Sequence, residues 1–176
     1  HFPAPFMAAV LSGMMDDTDR IAFTVSESKK SGLIVDTPNI CQSEYEFSIT
    51  DNKTIIYGLG AIKGVGESLV RAIVLEREKN GSYDDIFDFC LRIEKKYLNR
   101  RAVEALIYSG AFDVFGHSRE TLIATYPRAI KQAEQRQNDF SKGQESLFSE
   151  VESHIEYEKK YIKGEYLPFK KMLKFE

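Results

Sequence analysis

A glycine-rich segment is the part of the sequence whose residue types and spacing could do chemistry. It reads GLGAIKGVGE over residues 58–67, after an apolar run and before a helix-like run. Such segments hold nucleotide phosphates in two common motifs. The Walker motif requires Gly-Lys-Ser/Thr after four spacer residues, and the dinucleotide-binding motif requires a third glycine where Lys63 or Leu69 stands. The spacing therefore excludes both nucleotide-cofactor motifs.

The same residues fit another phosphate-binding arrangement, Lys-Gly-apolar-Gly before a helix. Lys63, Gly64, Val65 and Gly66 form a tight hairpin in which one buried apolar residue separates two glycines. Backbone N–H groups at a helix start favour negative charge, and Lys63 adds a cation. A helix-hairpin-helix of this kind grips a DNA phosphate. We predict DNA contacts from these residues and Ser68; a turn that merely joins two helices is the alternative.

A second glycine hairpin further along the chain predicts a tandem arrangement. The sequence IYSGAFD ends a helix at Gly110 and buries Phe112, and Ser118 caps the next helix. Two such hairpins would hold opposite strands across the minor groove. Asp113 would repel a phosphate. We therefore expect Gly110 to have a structural role at this second DNA contact, where Arg119 and Ser118 bind the phosphate.

Charge is distributed unevenly along a nearly neutral chain. The 24 Lys and Arg against 27 Asp and Glu give a net charge of −3, which excludes nucleic-acid binding by overall charge. Residues 92–101 hold five basic residues and one Glu, whereas residues 144–158 hold five Glu and no Lys or Arg. We predict that the basic stretch and Lys63 supply the electrostatic part of DNA binding. The alternative is that Arg92, Lys95 and Lys96 form a solvated helix face.

The surrounding elements are predicted to be mainly α-helical with one small β-hairpin. Residues 1–30 show helical spacing, residues 33–35 form a short strand, and alternating apolar residues at 45–49 pair with residues 53–57 across a turn. Caps and periodicity predict four more helices. They span residues 67–79, residues 86–93 after Asp84 or Asp85, residues 100–109 after Asn99, and the run beyond Ser118 with a kink at Pro127.

Other residue types give little sign of a metal site, a disulfide or a membrane span. Cys41 and Cys90 are too few and too far apart for a CxxC pair, which predicts a reducing, cytoplasmic location and a core role for Cys90. Asp16, Asp17 and Asp19 open a helix, so capping is expected before metal binding. The apolar runs are shorter than the ~20 residues of a membrane span.

Longer stretches resemble a known family. IIYGLGAIKGVGESLVRAIVLERE, FDFCLRI and LNRRAVEALIYSGAFD, with HFPAPFMAAVLSGMMDDTDR upstream, resemble the alpha (catalytic) subunits of bacterial DNA polymerase III, which are C-family replicative polymerases. The resemblance implies template-directed nucleotidyl transfer in a larger parent protein. Its Mg²⁺-binding palm aspartates would lie upstream of this segment, so we expect no catalytic residue, no cofactor and no activity here.

The resemblance also implies a division of the chain. Residues 1–57 would be the C-terminal part of the fingers region with the β-hairpin, residues 58–136 a tandem helix-hairpin-helix domain on the primer-template duplex, and residues 137–176 a polar linker and the start of the next domain. Both ends of the sequence are expected to be cuts through the larger protein, because the chain starts at His1 and stops within an amphipathic pattern.

The polar linker contains a candidate partner motif. Gln144, Leu147 and Phe148 of QESLF resemble the Gln-x-x-Leu-Phe peptide by which bacterial polymerases bind the sliding clamp (beta subunit). Other polymerase III holoenzyme subunits are further expected partners. The alternative is that Leu147 and Phe148 belong to one face of an ordinary amphipathic helix.

Two functions from other classes stay open. A helix-hairpin-helix repair glycosylase or nuclease would require a catalytic Lys or Asp beside the second hairpin, or a cysteine set for an iron–sulfur cluster, and we assign no residue of this sequence to either role. An interaction scaffold would use the hairpins only to pack helices and would not bind DNA.

Overall fold

The computed structural model describes residues 3–141 and 161–162, and side chains within 3–136 and 161–162. The described part is mainly helical with one small sheet, which confirms the predicted fold class. The elements are α1 (Ala4–Ser12), α2 (Thr18–Lys30), β1 (Ile34–Asp36), β2 (Ser48–Ile49), β3 (Thr54–Ile56), α3 (Glu67–Asn80), α4 (Ile86–Arg92), α5 (Arg100–Tyr108) and α6 (Arg119–Ser141). None of these helices is long and apolar enough to cross a membrane.

Local capping sets the starts of four helices. Asp17, Asp85 and Asn99 each precede a helix and accept a hydrogen bond from a backbone N–H in its first turn. Ser118 does the same for α6, with its Oγ 3.2 Å from the backbone N of Thr121. Each side chain satisfies a donor that has no partner inside the helix, which is why these boundaries could be predicted.

The sheet is three-stranded, in the order β1-β3-β2. The predicted hairpin is present as the antiparallel pair β2–β3, but β2 is only two residues long. The segment before it is taken up by other partners: the Phe47 N–H donates to Ser12 Oγ at 3.1 Å, and Tyr45 accepts through its carbonyl from the Gly60 N–H. The parallel pairing of β1 with β3 was not predicted.

Two hydrophobic clusters form the interior. The smaller lies among α1, α2 and the sheet, and the larger lies among α3, α4, α5 and α6. Ile40 belongs to the larger cluster and Ala61 to the smaller, so the clusters interleave along the sequence, and Tyr57 packs against both. The predicted domain boundaries stay a prediction.

Cys90 belongs to the larger cluster and is fully buried, which confirms its predicted core role. Burial raises the pKa of its thiol to about 12. The thiol therefore stays protonated and unreactive near neutral pH.

The C-terminal helix α6 extends past residue 137, where the polar linker is predicted to begin, and that boundary stays a prediction. It continues through Pro127 to Ser141. Beyond it, Tyr161 stacks on His117 with ring centroids 3.7 Å apart, and the Ile162 N–H donates to Thr125 Oγ1 at 2.9 Å. Residues 161–162 thus pack against the helical part of the chain.

Candidate nucleic-acid interface

The first glycine hairpin forms a closed turn that leads into α3. The Val65 N–H donates to the Ile62 carbonyl at 3.0 Å, and both side chains are buried in the larger cluster. Gly64 has a φ of +100°, a conformation that only glycine adopts without strain. The predicted hairpin geometry is therefore present, anchored by apolar residues on its inner side.

The start of α3 is open. Gly66 precedes the helix and provides no side-chain cap, and among residues 3–141 and 161–162 no acceptor pairs with the backbone N–H groups of Gly66, Glu67 or Ser68. These donors are aligned with the helix dipole and available to an anion.

Gly66 itself leaves space in front of these donors. Its φ of −86° suits any residue, and a β-carbon there would meet no atom within 4 Å. Neither the backbone nor the packing therefore requires glycine at this position. A missing side chain lets a ligand approach the backbone closely.

The side chains beside the turn favour a negative ligand. Lys63 and Ser68 are exposed, and Lys63 forms no ion pair with any residue of the described part. Glu67, a carboxylate in the first turn of α3, is paired with Arg71 at 2.6 Å. The predicted contacts Lys63, Gly64, Gly66 and Ser68 thus lie together at one surface, with Val65 as their buried anchor.

The basic stretch at residues 92–101 is largely neutralised by ion pairs. Four of its five basic residues contact carboxylates: Arg92 with Glu76 and Asp88, Lys95 with Glu134, Lys96 with Glu94, and Arg100 with Glu104. Two of these partners, Glu76 and Glu134, lie well outside the stretch. The prediction that the whole stretch serves DNA binding therefore overlooked its tertiary partners.

Arg92 in particular is neither solvated nor available to a ligand. Its side chain is 15% exposed, and it also donates to the backbone carbonyls of Glu76, Gly81 and Ser82. Burial alone would raise the pKa of Glu76, but hydrogen bonds from Asn80 and Arg92 hold that pKa below its ordinary value. Arg92 thus joins α3 to α4, and the solvated-face alternative is wrong for this residue.

The second hairpin is closed by its own ion pair. The Arg119 guanidinium donates to both Asp113 carboxylate oxygens, at 2.9 and 3.2 Å, and to the Tyr108 carbonyl at 2.8 Å. Gly110 has a φ of +88°, and a β-carbon there would lie 2.6 Å from Nη2 of Arg119. Gly110 therefore has the expected structural role. The DNA contacts predicted for Arg119 and Ser118 stay predictions, although these side chains are engaged internally.

Of the aspartates Asp16, Asp17 and Asp19, Asp17 caps the start of α2. Asp17 accepts from the Arg20 N–H at 3.1 Å. Within residues 3–141 and 161–162 no group of three or more His, Cys, Asp or Glu side chains is arranged to hold a metal ion.

A family model described as a helix-hairpin-helix motif matches residues 32–122, just over half of the chain. The chain belongs to the helix-hairpin-helix family. Both glycine hairpins lie within the matched residues of this helix-hairpin-helix chain.

Similar proteins confirm the resemblance found in the sequence. The chain is 43% identical to DNA polymerase III subunit alpha of Pasteurella multocida over 162 residues, 92% of this chain and 14% of that protein. It is 46% identical to the Xylella fastidiosa subunit (86% of this chain, 13% of that one) and 43% identical to the Escherichia coli subunit (84% and 13%). The helix-hairpin-helix chain thus spans about one seventh of the length of these relatives.

One residue of the interface was not singled out from the sequence. Arg101 is exposed and, within the described part of the chain, forms no ion pair, unlike its four basic neighbours. The sequence does contain a signal: Arg100 has Glu104 one helical turn later, whereas Arg101 has Ala105 there.

Proposed function

We propose that this chain is a segment of the catalytic subunit of a bacterial replicative DNA polymerase, acting in the cytoplasm, and that it binds duplex DNA through the phosphate backbone. The helix-hairpin-helix match and the polymerase III relatives support this proposal. The observation that carries it is the open start of α3 beside an exposed Lys63 that forms no ion pair within the described residues. Nucleotidyl transfer and its Mg²⁺ ions would belong to other parts of the parent protein.

The hairpin binds DNA without reading its sequence. A phosphate oxygen accepts hydrogen bonds from the free N–H groups at residues 66–68, while Lys63 neutralises the charge. Contacts to phosphate fix the position of the duplex but carry no base information. An enzyme that copies any template requires binding of this kind.

Replacing Lys63 with Glu is expected to weaken binding to every duplex sequence about equally. We expect a loss of about tenfold, or ~1.4 kcal/mol, and a log–log salt slope smaller by roughly 0.9 for the lost phosphate contact. Fluorescence anisotropy with two unrelated duplexes over a range of salt concentrations measures both quantities.

Lys79→Glu is the matched control, because it makes the same charge change at the other end of α3, about 20 Å away by helical rise. It should change affinity by less than the Lys63 variant. An altered preference between the two duplexes, or unchanged affinity and slope, would contradict the phosphate contact.

Alanine at the two hairpin glycines should separate folding from binding. Gly64→Ala forces a side chain into a φ of +100° and should lower the free energy of unfolding by about 1–3 kcal/mol. Gly66→Ala should change it by less than about 1 kcal/mol but weaken duplex binding, because the methyl group occupies the open space before α3. Urea unfolding and anisotropy distinguish the two. Full duplex affinity in a folded Gly66→Ala variant argues against a phosphate at this position.

We also propose that Gln144, Leu147 and Phe148 bind a ring-shaped sliding clamp. These residues lie outside the described residues, so the support is the QESLF sequence itself. Two adjacent apolar side chains in a segment with five Glu and no Lys or Arg gain by entering a pocket on a partner. Further subunits of the replication complex are proposed partners of the parent protein.

A further inference from the structure

We infer that Arg101 is a second phosphate-binding side chain of the first hairpin, so that the turn before α3 and the helix α5 each supply one cation to a single phosphate-binding site. This inference rests on the proposed duplex binding and deepens it. It assigns to α5 a direct contact with the same phosphate backbone that the start of α3 faces.

Arg101 lies directly against the glycine turn. A β-carbon on Gly64 would lie 3.4 Å from Nε and 3.6 Å from Cγ of Arg101, and 3.8 Å from Cβ of Ala105. Glycine therefore lets α5 approach the turn closely. Because Lys63 immediately precedes Gly64, the two cations flank the same turn.

The charge of Arg101 is not neutralised inside the described part of the chain. Arg100, the adjacent residue, is paired with Glu104 at 2.8 Å. The corresponding position for Arg101 is Ala105, which is fully buried against the turn. The packing that brings α5 onto the hairpin thus excludes a carboxylate at that position, while Arg101 itself is exposed.

The chemistry of the two side chains is complementary. A guanidinium offers several N–H donors in a planar fork that matches two phosphate oxygens, whereas an ammonium acts as a point charge. The ligand class that fits is a phosphodiester of the DNA backbone.

The test compares Arg101→Ala with Arg100→Ala in duplex binding over a range of salt concentrations. Arg101→Ala should reduce affinity about three- to tenfold and lower the salt slope by roughly 0.9, the value for one phosphate contact. Arg100→Ala should change affinity less than twofold, because Glu104 already neutralises Arg100. Arg101→Gln removes the charge but keeps the side-chain carbons that pack over Gly64. It should lower the salt slope by the same amount as Arg101→Ala.

The outcomes separate this inference from the proposed function. One outcome is that Lys63→Glu weakens binding while Arg101→Ala and Arg101→Gln have the same affinity and salt slope as Arg100→Ala. The proposed duplex binding then stands, and the inference about Arg101 is wrong. If neither Lys63→Glu nor the Arg101 variants change affinity or slope, the proposed duplex binding by this hairpin fails as well. If the variants have the same urea unfolding midpoint as the unsubstituted chain, a loss of binding is not caused by a loss of fold.

Discussion

Replacing Leu147 and Phe148 together with alanine is expected to weaken binding of the sliding clamp by at least a hundredfold. A buried apolar anchor at a protein interface typically contributes on the order of 2 kcal/mol when truncated, and two anchors together exceed the ~2.8 kcal/mol that corresponds to a hundredfold change. Isothermal titration calorimetry of the chain with purified clamp measures the loss. Duplex DNA affinity should stay unchanged, because the first hairpin is untouched.

The control is alanine at the two variable positions of the same peptide, Glu145 and Ser146. The clamp affinity of this double variant should lie within a few-fold of that of the unsubstituted chain, since neither side chain is an anchor. A lower urea midpoint for the variant at Leu147 and Phe148 would mean that these side chains pack into the chain's own core. The clamp assignment would then be wrong.

Replacing Arg92 with Met is expected to lower the free energy of unfolding by about 2–4 kcal/mol. The substitution removes hydrogen bonds to three backbone carbonyls and leaves Glu76 and Asp88 as partly buried carboxylates without their cation. Chemical denaturation followed by circular dichroism measures the change. The log–log salt slope of duplex binding should be unaffected, because Arg92 faces its internal partners.

Arg71→Met is the matched control. Arg71 pairs with Glu67 across one helical turn, but its side chain is 73% exposed, so its loss should alter stability by less than about 1 kcal/mol. Equal destabilisation by the two variants would contradict the central role of Arg92 in joining α3 to α4.

The Arg92 variant should also change how stability depends on pH. The pKa of Glu76 is lower in the folded chain than in the unfolded one, so Glu76 stabilises the fold above its unfolded pKa, and this contribution is lost as the pH falls through the folded pKa. Without Arg92 the folded pKa moves back up. The acid-side loss of stability should therefore be shallower in Arg92→Met, as unfolding curves at a series of acidic pH values would show.

Most features of this fold that depend on near neighbours were predictable from the sequence. The caps at Asp17, Asp85 and Asn99, and the turn at Gly64, each depend on residues within a few positions. The first hairpin follows from Lys-Gly-apolar-Gly for the same reason, because sterics and unpaired helix donors act locally.

The sheet depends in part on contacts between residues that are distant in the sequence. The antiparallel β2–β3 pair is joined by a short turn, which the sequence indicates directly. The parallel β1–β3 pair depends on how the intervening chain folds back. Alternation alone also predicted too long a strand before Ser48, because the backbone there forms hydrogen bonds with Ser12 of α1 and with Gly60.

The candidate interface divides in the same way. The sequence by itself determined the glycine hairpin, the charge of residues 92–101 and the family. Only the tertiary structure decided which cations have a partner within the described residues: it pairs Arg92 with Glu76 and Arg119 with Asp113, and it places Arg101 against Gly64 without an ion pair there. The physical reason is that sequence fixes the sign of a charge, whereas packing between distant helices decides which opposite charge lies within reach of it.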